Sequence, residues 1–171
     1  MLETGRLSLL PLQAEDAEHI FAFGSDAEVT RYVFWSRHET VENSRAFVAW
    51  LGGVKFLTWA VRRQGQPEVI GIVFLHSLNS HHRKAELSFH VARPCWGQGF
   101  ATEAAAVVLR HALGPMKLNR IEATCMVSND ASARVLAKLG LMQEGLLRQS
   151  HQGKGHFFDM KLFGILSTDL R

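Results

Sequence analysis

Polar and apolar residues alternate from Lys84 to Val91, with Ala85, Leu87, Phe89 and Val91 on one side and Lys84, Glu86, Ser88 and His90 on the other. A period of two predicts a β-strand. From Ala101 the period lengthens. Ala101, Ala104, Ala105, Val108 and Ala112 recur at helical spacing, Glu103 lies in the first turn, Arg110 and His111 lie in the last, and Gly114-Pro115 ends the run. Between strand and helix stands Trp96-Gly97-Gln98-Gly99-Phe100-Ala101-Thr102-Glu103, a turn with little side chain. Backbone N–H groups in the first turn of a helix lack intrahelical partners and lie at the positive end of its dipole. Strand, small-residue turn and helix together therefore predict a phosphate site.

The same patterning organises the rest of the chain. Arg6 to Leu12 reads as a first strand and Ala14 to Phe23 as a helix with Ala17, Ile20 and Phe21 on one face. Asp26 to Phe34 reads as a second short helix. Thr40 to Leu51 reads as a third, with Thr40 and Asn43 at its start and Gly52-Gly53 after its end. Phe56 to Arg63 and Glu68 to Leu78 flank Gln64-Gly65-Gln66-Pro67, a hairpin turn by composition. A strand from Arg120 to Val127, a helix from Ala131 to Leu139 and a closing pair, Met142 to Gln149 and His156 to Leu166, follow. Hairpin strands succeeded by strand, helix, strand, helix predict an α/β (mixed α+β) fold with helices on both faces of a mixed sheet. With no linker, repeat or low-complexity segment, residues 1–171 read as a single domain.

Composition narrows the setting. Cys95 and Cys125 lack metal-ligand spacing and need no disulfide framework, which points to the cytoplasm. Met1 to Arg6 has no signal-peptide pattern, and no apolar stretch approaches the roughly 18 residues that would span a bilayer, so no membrane partner is expected. The formal net charge is +3, from 19 basic and 16 acidic residues. Its densest places, Arg62-Arg63 and His81-His82-Arg83-Lys84, flank predicted turns and read as solvated loop charge. A nucleic-acid partner is not expected, whereas an acidic ligand suits the excess. His76, His81, His82, His151 and His156 show no i, i+4 pairing and no Cys partner, so no metal is expected and these histidines read as surface or packing residues.

Two nucleotide-binding families use such a turn. A dinucleotide fingerprint wants a third glycine three residues after Gly99 and an acid about 20 residues on, at the end of the next strand. Here Thr102 takes the glycine's place, and Glu122 begins its strand. The segment instead resembles the acyl-CoA motif of the GNAT superfamily of N-acetyltransferases, a (Gln/Arg)-x-x-Gly-x-(Gly/Ala) turn. Gly99 and Ala101 match its last two small positions, and Trp96 stands where Gln or Arg is usual. Trp96-Gly97 is similar to the RimJ/RimL branch. Asn129-Asp130-Ala131-Ser132, followed by a short helix ending in Lys138-Leu139-Gly140-Leu141, resembles that branch's second signature. Glu144-Gly145 and Asp159 are similar to its closing hairpin, and Asp26 to Trp35 to its substrate-side helices; the likeness runs from about Arg6 to Leu166.

The resemblance implies a mostly antiparallel, twisted sheet of about seven strands, with a splayed parallel pair at its centre formed by the strands carrying Glu86 and Cys125. Acetyl-CoA would be the co-substrate. Its pantetheine arm would enter the splay and pair with the main chain of Phe89, His90 and Val91, and the turn from Trp96 through Gly97, Gln98, Gly99, Phe100, Ala101 and Thr102 would hold its diphosphate. Asn129 would order the arm, Ser132 would protonate the leaving thiolate, and Lys138 would reach the 3′-phosphate. Read without the resemblance, Asn129 and Ser132 are ordinary helix-start residues and Lys138 is a dipole partner. Trp35, Arg37 and His38 would overhang the acceptor pocket.

Glu86 is a candidate general base because it shares a strand face with Ser88 and His90, and a polar face on a covered central strand suggests a cavity. His90 competes, since an imidazole already titrates near neutrality. The implied oxyanion donor is the backbone N–H of His90 or a neighbour. A tyrosine is frequent four residues after the hairpin Asp, but Phe163 occupies that place and Tyr32 is the chain's only tyrosine, which leaves Ser132 or water as the proton donor. An α-amine costs about 1 kcal/mol to deprotonate at pH 7 and a lysine-like amine about 4 to 5. The resemblance implies direct transfer to a protein N-terminus or a small-molecule amine, by a monomer or a homodimer; the alternative is a non-catalytic CoA-binding sensor.

Overall fold

The computed structural model describes residues 1–53 and 55–169. Its strands are β1 (Leu2–Glu3), β2 (Leu7–Pro11), β3 (Leu57–Arg63), β4 (Val69–Asn79), β5 (Lys84–Val91), β6 (Arg120–Met126), β7 (Met142–Gly153) and β8 (His156–Leu166). Helices α1 (Ala17–Gly24) and α2 (Val41–Leu51) precede β3, α3 (Phe100–Leu113) follows β5, and α4 (Asp130–Lys138) follows β6. The eight strands form one sheet in the order β1-β2-β3-β4-β5-β6-β8-β7. Among the described residues only β5 and β6 run parallel. The count exceeds the seven expected because Leu2–Glu3 pairs with Ser8 and Leu9 at the sheet edge.

Strand alternation sorts the core into two layers. Val73, Leu75, Ala85, Leu87, Ile121 and Ala123 face α3 and α4, where Ala104, Ala105, Val108 and Leu136 close over them. Ala60, Ile72 and Phe74 face the other way, against Ile20 and Phe23 of α1 and Val48 and Leu51 of α2. Small alanines on α3 let that helix sit close to the strands. Asn43 secures the start of α2, its Oδ1 accepting the backbone N–H groups of Glu39 and Thr40.

Three expectations require correction. Asp26 to Phe34 is a string of turns rather than a helix. The Thr30 N–H reaches Asp26 O, but the next bonds close tighter loops, Arg31 to Glu28 and Val33 to Thr30. Asp26 Oδ1 takes the Glu28 N–H at 2.8 Å, a local bond that competes with helix geometry. The first helix opens as a 3-10 turn over Ala14–Asp16 before α1 begins. Finally, Arg62 and Arg63 are not solvated loop charge. Arg62 is half-buried in an ion pair with the buried Asp16, and Arg63 lies over the Phe100 ring at 5.4 Å with its guanidinium 3.5 Å from Cys95 Sγ.

The parallel pair is joined over three register positions only, Lys84 with Arg120, Ala85 with Ile121 and Glu86 with Glu122. Beyond them β5 continues along β4 as far as Val91, while β6 follows β8 to Met126. Among the described residues, the edge of β5 from Leu87 onward thus has no partner strand on that side. Gly71 of β4 presses on the same stretch: a Cβ there would stand 2.5 Å from the His90 carbonyl oxygen and 3.2 Å from Val91 Cα. Gly71→Ala should therefore shift β5 and cost about 1 to 3 kcal/mol, read as a lower denaturation midpoint with an unchanged m-value.

Candidate active site

The small-residue turn has the geometry that its pattern predicts. A 3-10 turn over Arg93–Cys95 brings the chain off β5, and Gly97 (φ +74°) and Gly99 (φ +81°, the N-cap of α3) take left-handed conformations. Glycine reaches this region without the steric penalty a Cβ incurs. Among the described residues, the six backbone N–H groups of Gly97 through Thr102 make no hydrogen bond, and the first helical bond is Glu103 N–H to Gly99 O. The carbonyls around them are engaged by side chains. Trp96 Nε1 donates to Val91 O at 2.7 Å, Gln98 Nε2 to Pro94 O at 2.8 Å, and Arg6 Nη1 to Gln98 O at 3.2 Å. Arg6 also lies 4.6 Å over the Phe100 ring and donates through Nε to Glu103 Oε2 at 2.7 Å, while Thr4 donates to the other carboxylate oxygen. Burial opposes ionisation of Glu103, but the bonds from Thr4 and Arg6 outweigh it and hold the carboxyl below its usual range. The result is a row of unpaired amides at a helix mouth, fixed from behind, an arrangement of the kind that suits an anion. Arg6 and Thr4 escape a motif search because they precede the turn by more than ninety positions.

On the α3 and α4 side of the sheet, the gap between β5 and β6 is flanked by Phe89, Val91 and Cys125. Asn129 caps α4, its Oδ1 accepting the Ser132 N–H at 3.1 Å. Ser132 is half-buried with its hydroxyl against the Cys125 thiol, and burial pushes that thiol up, so it stays protonated at neutral pH. Lys138 is exposed in the last turn of α4.

On the opposite side a polar band crosses three strands where β5 and β6 part. Glu86 Oε1 accepts from Thr124 Oγ1 of β6 at 3.0 Å, and Glu86 Oε2 lies 3.8 Å from Nδ1 of His76, its cross-strand partner on β4. His76 Nε2 is 3.0 Å from Ser88 Oγ. His90 lies farther along the same face between the Phe74 ring at 5.8 Å and the edge of Trp35 at 6.1 Å. Burial lowers its imidazole to about 4, which makes it neutral and a weak proton acceptor at pH 7.

Trp35 is brought to this face, but His38 is not an open contact. His38 is buried with Nδ1 2.7 Å from Ser44 Oγ, and its ring backs Trp35 at 4.7 Å. Arg37 is exposed beside it. The β7–β8 hairpin closes the far wall. Phe34 stacks on His151 at 5.0 Å, and Lys154 Nζ donates to Thr30 O. His76 and His151 thus belong to this face rather than to the general surface, and the hairpin that sets His76 opposite Glu86 is the signal that could have found the first of them. Among the described residues no His, Cys, Asp and Glu group is arranged to hold a metal ion, and no helix is long and apolar enough to cross a membrane.

Residues 6–142 match the family model described as Acetyltransferase (GNAT) domain. The chain is 34% identical over 170 residues to YoaA, an uncharacterized N-acetyltransferase of Bacillus subtilis (strain 168), a match covering 97% of this chain and 96% of the relative. Its fold superimposes with a TM-score of 0.89 on a GNAT-family acetyltransferase from Bacillus anthracis, 28% identical, with 98% of each chain covered. A spermidine N-acetyltransferase from Vibrio cholerae, solved with CoA and spermine, gives a TM-score of 0.84 at 22% identity over 97% of this chain and 98% of the other, a likeness of fold.

Proposed function

The chain belongs to the GNAT acetyltransferase family and is an acetyl-CoA-dependent acetyltransferase; on that premise we propose that it acetylates a primary amine, either a protein N-terminus or a small molecule, in the manner of the RimJ/RimL branch. The observation that carries this reading is the continuity of the site. Six unpaired amides at the mouth of α3 lead to the open edge of β5, and the gap between β5 and β6 opens onto Glu86. The diphosphate of acetyl-CoA binds the main chain from Gly97 to Thr102, with Trp96 and Gln98 shaping the turn. The pantetheine arm adds to β5 along Phe89, His90 and Val91, a ligand form of strand addition. Asn129 and Ser132 border the thioester end, and Lys138 the phosphate end.

The amine approaches from the Trp35 side, in a ternary complex. Glu86 attracts the cationic amine and draws off its proton through water; the amine nitrogen attacks the thioester carbonyl, whose oxyanion is held by a β5 amide. The thiolate then leaves toward Ser132. Aromatic rings at Trp35 and Phe34 favour an acceptor with an apolar body beside its amine. Arg37, exposed at the rim, meets the acceptor's outer end.

Thiol release from acetyl-CoA tests this with peptides bearing free N-termini, amino acids, spermidine and 2-phenylethylamine. Turnover above background with at least one of them is expected. CoA binding without release for any amine would replace this reading with that of a CoA sensor.

A further inference from the structure

We propose that the second proton lost by the acceptor amine, the one released as its nitrogen bonds to the acetyl carbon, ends on His76, which receives it through the Ser88 hydroxyl, while Glu86, having passed the first proton to solvent, holds the resulting imidazolium. The inference rests on the acetyl-transfer reading and adds to it a residue that no motif indicates. Its basis is register. His76 lies directly across from Glu86 on the antiparallel β4–β5 pair, and Glu86 is the last residue of β5 joined to β6. Ser88, two residues farther, stands where the strands have separated. Its Oγ is 3.0 Å from His76 Nε2.

The tautomer follows from the charges. The Glu86 carboxylate lies 3.8 Å from Nδ1, and the Ser77 hydroxyl, an available acceptor, lies 3.1 Å from the same atom. Both favour a proton on Nδ1, which leaves the Nε2 lone pair facing Ser88. As the amine nitrogen bonds to the acetyl carbon, its N–H proton passes to Ser88 Oγ and the Ser88 proton passes to Nε2. Ser88 is regenerated, His76 gains one proton, the C–S bond breaks, and its electron pair leaves on sulfur. His76 then returns the proton to solvent.

Two charged or titratable groups act on His76. Burial lowers its pKa most, Glu86 on β5 raises it, and His151 on β7 lowers it. The imidazole is therefore neutral at pH 7, as a proton acceptor must be.

The test uses the full chain and the panel amine that is turned over fastest. H76N should lower kcat/KM about 100-fold or more and abolish the acid limb of its pH profile. S88A, which leaves the imidazole in place, should lower it in the same direction. E86Q should keep an acid limb but move it to lower pH, because the carboxylate that favours the imidazolium is gone. In 15N-histidine spectra the His76 midpoint of E86Q should fall below that of wild type, a readout independent of turnover. Wild-type kcat/KM in both H76N and S88A, or loss of the acid limb in E86Q with its retention in H76N, overturns the proposal and leaves Glu86 as sole acceptor. A wild type inactive with every amine overturns the acetyl-transfer reading, and this inference with it.

Discussion

Gly99→Val is expected to weaken acetyl-CoA binding about 100-fold or more, measured by titration calorimetry or as KM for acetyl-CoA. Space does not forbid the valine, since the nearest heavy atom to a Cβ at this position is an Arg6 nitrogen at 3.6 Å. Conformation does. At φ +81° a β-branched residue is strained by about 1 to 2 kcal/mol, and the chain relieves that strain by turning the N-cap out of the left-handed region. The amides on either side then rotate away from a common point. Charge-assisted hydrogen bonds are each worth about 1.5 to 3 kcal/mol, so losing two of them reaches the stated factor. Thermal stability should change only by the strain, so the variant remains folded and the affinity loss is readable. Unchanged affinity would mean that the diphosphate binds elsewhere.

Local chemistry was legible wherever one short segment determines it. The change from a period of two to a helical period locates the α3 turn, and Thr40 with Asn43 marks the start of α2 within one residue. The splay between β5 and β6 was expected from the resemblance and is present as three registered pairs. What the sequence does not display is register across strands. β4 is an almost unbroken apolar run from Val69 to Leu75, with no alternation to show which side His76 takes. Only its pairing with β5 sets that side chain against Glu86. Val29, Thr30 and Val33 imitate a helical stripe in the segment from Asp26 to Phe34, yet they are anchors of successive turns. His38 has the polarity of a pocket residue but is consumed by its bond to Ser44.

Arg62 shows the same limit with the largest consequence for stability. Its position beside a hairpin turn suggests a solvated charge, but its side chain is 13% exposed and that of its partner Asp16 only 5%. Asp16 also accepts the Gln13 N–H at 2.9 Å through Oδ2, and Arg62 Nε donates to Pro67 O at 3.0 Å, so the pair ties the turn before α1 to the β3–β4 hairpin. Asp16→Asn keeps the shape and removes the charge, which leaves a largely buried guanidinium without its counter-ion. Breaking a buried pair from one side costs about 3 to 5 kcal/mol, a large part of the roughly 5 to 15 kcal/mol that stabilises a domain. At about 2 to 4 °C per kcal/mol for a chain of this size, Tm should fall by about 10 °C. Replacing both partners, as in Asp16→Leu with Arg62→Met, should recover most of that loss, because the desolvation cost of both charges disappears with them. A single Asp16→Asn variant melting within about 2 °C of wild type would mean that Arg62 is hydrated after all. A double variant no more stable than the single one would assign the loss to the Gln13 bond instead.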